Sequence, residues 1–264
     1  MTLADQTARR RALKSKLRNR ERVFGGWVSY PDPGITETFA RAGFDFIAID
    51  MEHTTISIEQ AKRIITSCHS EDTTCLPRPV SHTNDIIKPL LEAGADGMII
   101  QMVETAAEVR RLIDLMKFPP AGRRSYGVNR AHGYGFDFDQ YITEWNETSS
   151  FIIQVESITG VENIDELLAF DEVDGVMVGP YDISGSLGVP GQINHPKVRE
   201  AAKKVVEACA RHNKSCCTQL QQVSVEAVQD AFDQGYTFVI LGSDLFVLWK
   251  WAEQTRAVVD QFRN

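Results

Sequence analysis

Short apolar, β-branched runs alternate with longer helical patterns along almost the whole chain, and that rhythm leaves few folds open. Val23–Ser29, Phe46–Asp50, Cys75–Val80, Gly97–Gln101, Phe151–Glu156, Gly175–Val178, Ser215–Leu220 and Phe238–Leu241 read as strands. Between them Ile58–Cys68, Asp85–Glu92, Ala106–Met116, Val161–Phe170, Pro196–His212 and Ser224–Gln234 read as helices. Several helices run into glycine just before the next strand, at Ala42-Gly43, Ala93-Gly94 and Gln234-Gly235, where glycine supplies a left-handed cap. The strand runs are apolar on both faces, as in a parallel sheet covered by helices. Eight such units predict one (β/α)8 barrel domain over residues 1–264, with an N-terminal helical segment at 1–22 and a C-terminal helix at 243–264. No G-x-G-x-x-G follows a strand, so a dinucleotide fold gains no support.

The formal net charge of −8 and a pI near 5.3 argue against a nucleic-acid-binding surface. No apolar run approaches the roughly 20 residues that cross a bilayer. The first 22 residues are basic but lack the apolar core of a secretory signal; they read as one amphipathic helix with Leu3, Ala8, Leu13 and Leu17 near one stripe. Five cysteines without a C-x-x-C pair suggest neither a disulfide framework nor a thiolate zinc site, but reduced thiols in a cytoplasmic protein.

Two segments interrupt the rhythm. Residues 119–146, rich in Gly, Arg and aromatics, read as a long loop over the barrel mouth. The last helix gathers Leu245, Phe246, Leu248, Trp249 and Trp251, an apolar surface that either packs on the barrel or meets another subunit.

Barrel chemistry gathers where the strands end. Strand two runs into Asp50, Glu52 and His53; strand one offers Trp27, strand three Arg78, strand four Gln101, strand five Gln154 and Glu156, and strand six Gly179-Pro180-Tyr181-Asp182. Glu156 and Asp182 are hard oxygen donors on adjacent strands, suited with water and a substrate oxygen to Mg²⁺ or Mn²⁺, with Co²⁺ or Zn²⁺ as further fits. Asp182 alone also reads as the cap of a helix starting at Ile183. Gly179 lets backbone N–H groups approach a bound carboxylate. Arg78 can hold a carboxylate or a developing oxyanion, and His53, oriented by Asp50, can shuttle a proton. Glu92, in the helix after strand three, either supports His53 or is a solvated helical carboxylate. No lysine stands at a strand end, which favours metal-dependent over Schiff-base chemistry.

The segments IDMEH at 49–53, Arg78-Pro79, IKPLLEAGADGMIIQMVET at 87–105, PPAGRRSYG at 119–127, IIQVES at 152–157, VDGVMVGPYDISGSLG at 173–188 and FVILGSD at 238–244 together resemble the HpcH/HpaI aldolase family, from about Gly25 to Ser243 and in the family's order. That resemblance implies a (β/α)8 barrel and a class II pyruvate aldolase, cleaving a 4-hydroxy-2-oxo acid to pyruvate and an aldehyde in sugar-acid or aromatic catabolism. It implies a homohexamer, a trimer of dimers that exchange their last helix. It further implies the metal on Glu156 and Asp182, pyruvate against Gln154 and the Gly179–Asp182 backbone, Arg78 stabilising charge, and His53 as acid/base with Asp50. Glu92 falls where better-known members carry an aspartate that tunes the histidine.

The sequence departs from the family's pattern in places. Tyr181 stands where alanine is common, Ile183 replaces leucine, Pro77 precedes Arg78, and strand seven reads Cys216-Cys217-Thr218-Gln219-Leu220 where relatives are small and apolar. His82 and the loop from Tyr126 to Phe138 are also individual, so the aldehyde partner stays open. Two other readings are a citrate-lyase-β or malyl-CoA-lyase-like reaction, for which Arg123, Arg124 and Arg130 are the available basic cluster, and a non-catalytic barrel that binds an oxo acid.

Overall fold

In the computed structural model, which describes residues 2–263, eight parallel strands curl into a nearly closed barrel. They are β1 (Val23–Val28), β2 (Phe46–Asp50), β3 (Thr74–Arg78), β4 (Gly97–Ile100), β5 (Ser150–Val155), β6 (Gly175–Val178), β7 (Ser215–Leu220) and β8 (Phe238–Leu241). Ladders join β3-β2-β1-β8-β7-β6-β5-β4 in that order. The seam lies between β3 and β4, and its cause is local. Cys75 faces β4, accepting from Asp96 N and donating to the Asp96 carboxylate, but two residues on the same edge position is Pro77, which has no N–H to donate.

The helices are α1 (Leu3–Arg18), α2 (Pro33–Ala40), α3 (Ile58–Ser70), α4 (Asn84–Glu92), α5 (Ala106–Met116), α6 (Phe138–Thr148), α7 (Ile158–Glu162), α8 (Ile164–Leu168), α9 (Pro180–Ser186), α10 (Pro196–Arg211), α11 (Val225–Asp233) and α12 (Asp244–Arg263). The expected glycine caps form: Gly43, Gly94 and Gly235 have φ of 81°, 102° and 95°. An outer core between strands and helices holds residues such as Ile47, Ile49, Ile64, Leu91 and Val176, and an inner core fills the barrel with Phe46, Leu76, Ile152, Met177 and Phe238.

Four expectations change. Residues 119–146 are not one loop: after a 3₁₀ segment at Arg130–Gly135, α6 buries Tyr141, Trp145 and Thr148 at helical spacing. The stretch 161–170 breaks into α7 and α8 at Asn163, and β3 stops at Arg78 because Pro79 follows. In α1, Ala8 faces solvent, whereas Arg10 and Lys14 are buried with Leu3, Leu13 and Leu17.

Those buried cations explain how α1 plugs the N-terminal end of the barrel. Asp45, Asp96 and Asp174 each stand one residue before an even-numbered strand, and their carboxylates accept the backbone N–H of Phe24, Cys75 and Phe151 at 2.8, 2.8 and 2.9 Å. Thr237 repeats the arrangement before β8, its hydroxyl accepting from Cys216 N at 2.9 Å. From α1, Lys16 pairs with Asp45 at 2.6 Å, Arg10 with Asp96 at 3.5 Å and Lys14 with Asp174 at 2.7 Å.

At the far end of the chain, α12 leaves the barrel. Asp244 anchors its start by accepting from Ser29 N and Tyr30 N at 2.8 and 2.9 Å. Beyond it Leu245, Leu248, Trp249, Trp251 and Phe262 are exposed, so packing against its own barrel does not cover this helix. No helix of the described residues is long and apolar enough to cross a membrane.

Candidate active site

Parallel register sets Asp50 opposite Arg78 at the carboxyl ends of β2 and β3, and Gln154 opposite Met177 on β5 and β6. Side chains remote in sequence therefore share one rim. Trp27, Asp50, His53, Arg78, Gln154 and the segment Gly179–Asp182 line a single cavity of about 560 Å³. That size suits a small organic ligand.

Arg78 occupies the centre of this rim. Its guanidinium donates to Asp50 Oδ1 from Nη2 at 2.8 Å, lies 2.9 Å from Glu52 Oε2 through Nη1, reaches Gln154 Oε1 at 3.4 Å and stacks 4.7 Å from the Trp27 ring. Two carboxylates and an aromatic face hold one planar cation in a fixed direction, the preorganisation that makes an arginine effective against developing negative charge. Asp50 does not touch the His53 ring. It accepts the backbone N–H of Glu52 and of His53, each at 3.1 Å, so it shapes the turn and aims Arg78, correcting the expectation that it orients the imidazole. The His53 side chain is 67% exposed, with Nε2 3.7 Å from Glu52 Oε2, free to meet a substrate.

Glu156 lies beneath the rim, buried. Met102 N donates to its Oε1 at 2.9 Å and Gln154 Nε2 to its Oε2 at 2.6 Å. Gly179 is required here by space: a Cβ would meet Glu156 Cβ at 2.6 Å and Oε2 at 2.7 Å. Burial pushes the Glu156 carboxyl up to about 7, with Glu52 and Asp182 pushing the same way and the Met102 N–H and Arg78 opposing them. Burial also raises Glu52, with Asp50 and Asp182 adding to the rise and Arg78 and His53 offsetting it. Asp182 is exposed in the first turn of α9, which begins at Pro180; its carboxylate caps no helix end and makes no hydrogen bond among the described residues.

Glu156, Asp182 and Glu52 thus crowd negative charge around one guanidinium. That imbalance and the hard oxygen donors fit a divalent cation. Among the described residues no group of three or more His, Cys, Asp or Glu side chains could by itself hold a metal ion, so two carboxylates would need water or substrate to complete the shell.

Glu92 is placed elsewhere. On α4 it pairs with Arg124 Nη2 at 3.1 Å, lies 3.5 Å from His132 Nδ1, and lines a separate cavity with Lys62, Lys88 and Asn129. Within the protomer it is not brought to His53. Arg124 is buried against it and Arg130 is bound to the Ala93 carbonyl, so the expected basic cluster presents no open groove. No lysine lines the mouth among the described residues. Sequence reasoning missed Glu52 as the second partner of Arg78, and missed Gln219 and Gln221 at the end of β7, whose polar alternation after an apolar start was the available signal.

A family model described as HpcH/HpaI aldolase/citrate lyase matches residues 24–250. A hydroxypyruvate/pyruvate aldolase of Roseobacter denitrificans is 34% identical over 238 residues, covering 89% of this chain and 91% of its own length. A 2-keto-3-deoxy-L-rhamnonate aldolase of Escherichia coli is 30% identical over 255 residues, covering 95% and 94%. Among solved structures, a HpcH/HpaI aldolase/citrate lyase family protein from Burkholderia cenocepacia J2315 superposes with a TM-score of 0.87 at 27% identity, covering 96% of this chain and 100% of that one.

Proposed function

Since the chain belongs to the HpcH/HpaI aldolase/citrate lyase family, we propose that this aldolase, a carbon–carbon lyase, reversibly cleaves a 4-hydroxy-2-oxo acid to pyruvate and an aldehyde with the help of a divalent cation. The observation that carries the reading is Arg78, buried, locked by Asp50, Glu52 and Trp27, and lining a cavity that an exposed His53 also lines.

The substrate carboxylate lies against the Gly179–Asp182 backbone and its oxo group beside Gln154 and Arg78. Glu156 and Asp182 would hold a divalent cation, Mg²⁺ or Mn²⁺ in the first instance, which when bound would supply Lewis-acid polarisation. His53 takes the proton from the C4 hydroxyl, the C3–C4 bond breaks, C4 leaves as the aldehyde carbonyl, and the electron pair passes into the enolate of pyruvate. Arg78 stabilises the negative oxygen that develops, and protonation at C3 releases pyruvate. Trp27 and Tyr181 bound the space above the reacting carbons.

The exposed apolar face of α12 supports an exchange of this helix within a dimer, and a hexamer of three such dimers. Five buried free thiols suit a reducing, cytoplasmic setting. The deciding assay is pyruvate release from a panel of 4-hydroxy-2-oxo acids after EDTA dialysis and after return of Mg²⁺, Mn²⁺ or Co²⁺. Full activity after dialysis, or a borohydride-trapped pyruvate adduct, overturns the mechanism.

A further inference from the structure

The mouth is not sealed on its β7 side. A second cavity of about 870 Å³ runs between α10, α11 and β7, and it shares Pro180, Ile193, Leu220 and Ala227 with the mouth. Those four residues form a doorway. The second cavity is lined by Val198, Ala202, Val206, Ala231 and Tyr236 and by polar side chains, Arg199, Lys203, Asp230 and Asp233 among them. Across the doorway Tyr181, at the start of α9, accepts a hydrogen bond at its hydroxyl from Gln221 Nε2 at 3.1 Å. Both residues line the mouth and neither lines the second cavity.

Resting on the aldolase reading above, we infer that the Tyr181–Gln221 bridge is the acceptor gate of this enzyme. It divides the mouth from the α10–α11 cavity and restricts the aldehyde to short, hydroxyl-bearing molecules. The physical basis is twofold. The Tyr181 ring and Gln221 line the mouth, each next in sequence to a doorway residue, Pro180 and Leu220, so their bridge spans the side from which a longer chain would leave. Gln219 and Gln221, with the Tyr181 hydroxyl, give that wall donors and acceptors that an alkyl aldehyde leaves unpaired and a hydroxylated one satisfies. Both bridge side chains are exposed, so the gate is held by one hydrogen bond and by the bulk of the ring.

The test measures kcat/KM for aldol addition of pyruvate to glycolaldehyde and to hexanal, in the native protein, Gln221→Ala, Tyr181→Phe and Tyr181→Ala. Deuterium exchange into the pyruvate methyl group is followed in each without aldehyde. The native protein favours glycolaldehyde. The hexanal/glycolaldehyde ratio rises by about tenfold or more in Tyr181→Ala, the range set by loss of a pocket wall, and by less in Tyr181→Phe and Gln221→Ala. A ratio that stays within twofold of native in all three variants overturns the gate, and methyl exchange in the native protein then leaves the aldolase reading intact. Absence of methyl exchange in the metal-supplied native protein overturns the aldolase reading itself, and the gate with it.

Discussion

The two ends of the barrel are both acidic, and they handle their charge in opposite ways. At the N-terminal end Asp45, Asp96 and Asp174 each accept a backbone N–H and each face a cation from α1. Contacts with His69 and Arg10 hold the Asp96 carboxyl below its ordinary value even though burial pushes the other way. At the C-terminal end Asp50 and Glu52 share Arg78, while Glu156 is pushed up to about 7 and Asp182 has no hydrogen bond among the described residues. Compensated charge at one end is a structural device; uncompensated charge at the other is held ready for something that binds. In barrels of this kind the strands' carboxyl ends carry chemistry and the other face carries stability, and here the electrostatics separate the two directly.

The largest expected effects sharpen that division. His53→Ala and Arg78→Ala each lower turnover about 10²–10⁴-fold, the range of a lost proton-transfer group or oxyanion partner, read by pyruvate release. Arg78→Lys recovers little, because an ammonium cannot meet Asp50, Glu52 and Gln154 in one plane. At the other end Asp174→Ala leaves Lys14 buried without a counter-charge and costs about 3–5 kcal/mol by urea denaturation. Its folded fraction keeps methyl-exchange activity. A loss of turnover with no loss of stability at Asp174 breaks the comparison.

A smaller effect has the opposite sign. Glu156→Gln relieves crowding with Glu52 and Asp182, so in EDTA the variant is as stable as the native protein or more so by about 1 kcal/mol. Added Mg²⁺ or Mn²⁺ raises the native Tm through binding to the folded state and leaves the variant's Tm nearly unchanged. An equal rise in both removes Glu156 from the cation site.

Much of the fold was legible because its causes are local. Four strands have the expected bounds, and the glycine caps fall where a helix must stop and reverse. The rim residues followed from one rule, that parallel strands deliver their last side chains to one face. The rest depended on contacts that no local pattern encodes. The Asp before a strand was visible as a repeat, but its purpose, a carboxylate for the neighbouring strand's N–H and for a cation 29 or more residues away on α1, exists only after closure. Asp50 next to His53 suggested a dyad, yet the turn gives Asp50 to the backbone and to Arg78. Glu92 points outward from the barrel, to Arg124 and His132, because a helix position fixes direction more firmly than a chemical role does. α6 was missed although Tyr141, Trp145 and Thr148 carry helical spacing, since the glycines and arginines before them dominated the composition.

The last expected effect is a pH dependence and concerns Lys117, at the compensated end. Its ammonium is buried and donates to Ser149 O, Ser149 Oγ and Asn146 O at 3.0, 2.7 and 3.1 Å. Lys14 donates to the same Ser149 carbonyl at 2.9 Å, while Asp174, the nearest carboxylate, is already shared by Lys14 and Arg18. One cation too many is therefore enclosed, and burial, reinforced by Lys14, lowers Lys117 to about 7. Between that value and the ordinary 10.5 the unfolded chain holds a proton that the folded chain does not. Stability consequently rises with pH across this window, by at most about 1.4 kcal/mol per pH unit, and the full penalty is present below about 7. Lys117→Met removes the proton from both states, so urea midpoints at pH 6, 8 and 9 show the native protein gaining on the variant only above pH 7. Parallel midpoints over the whole range place a charged, paired Lys117 in the folded state and make the N-terminal end fully compensated.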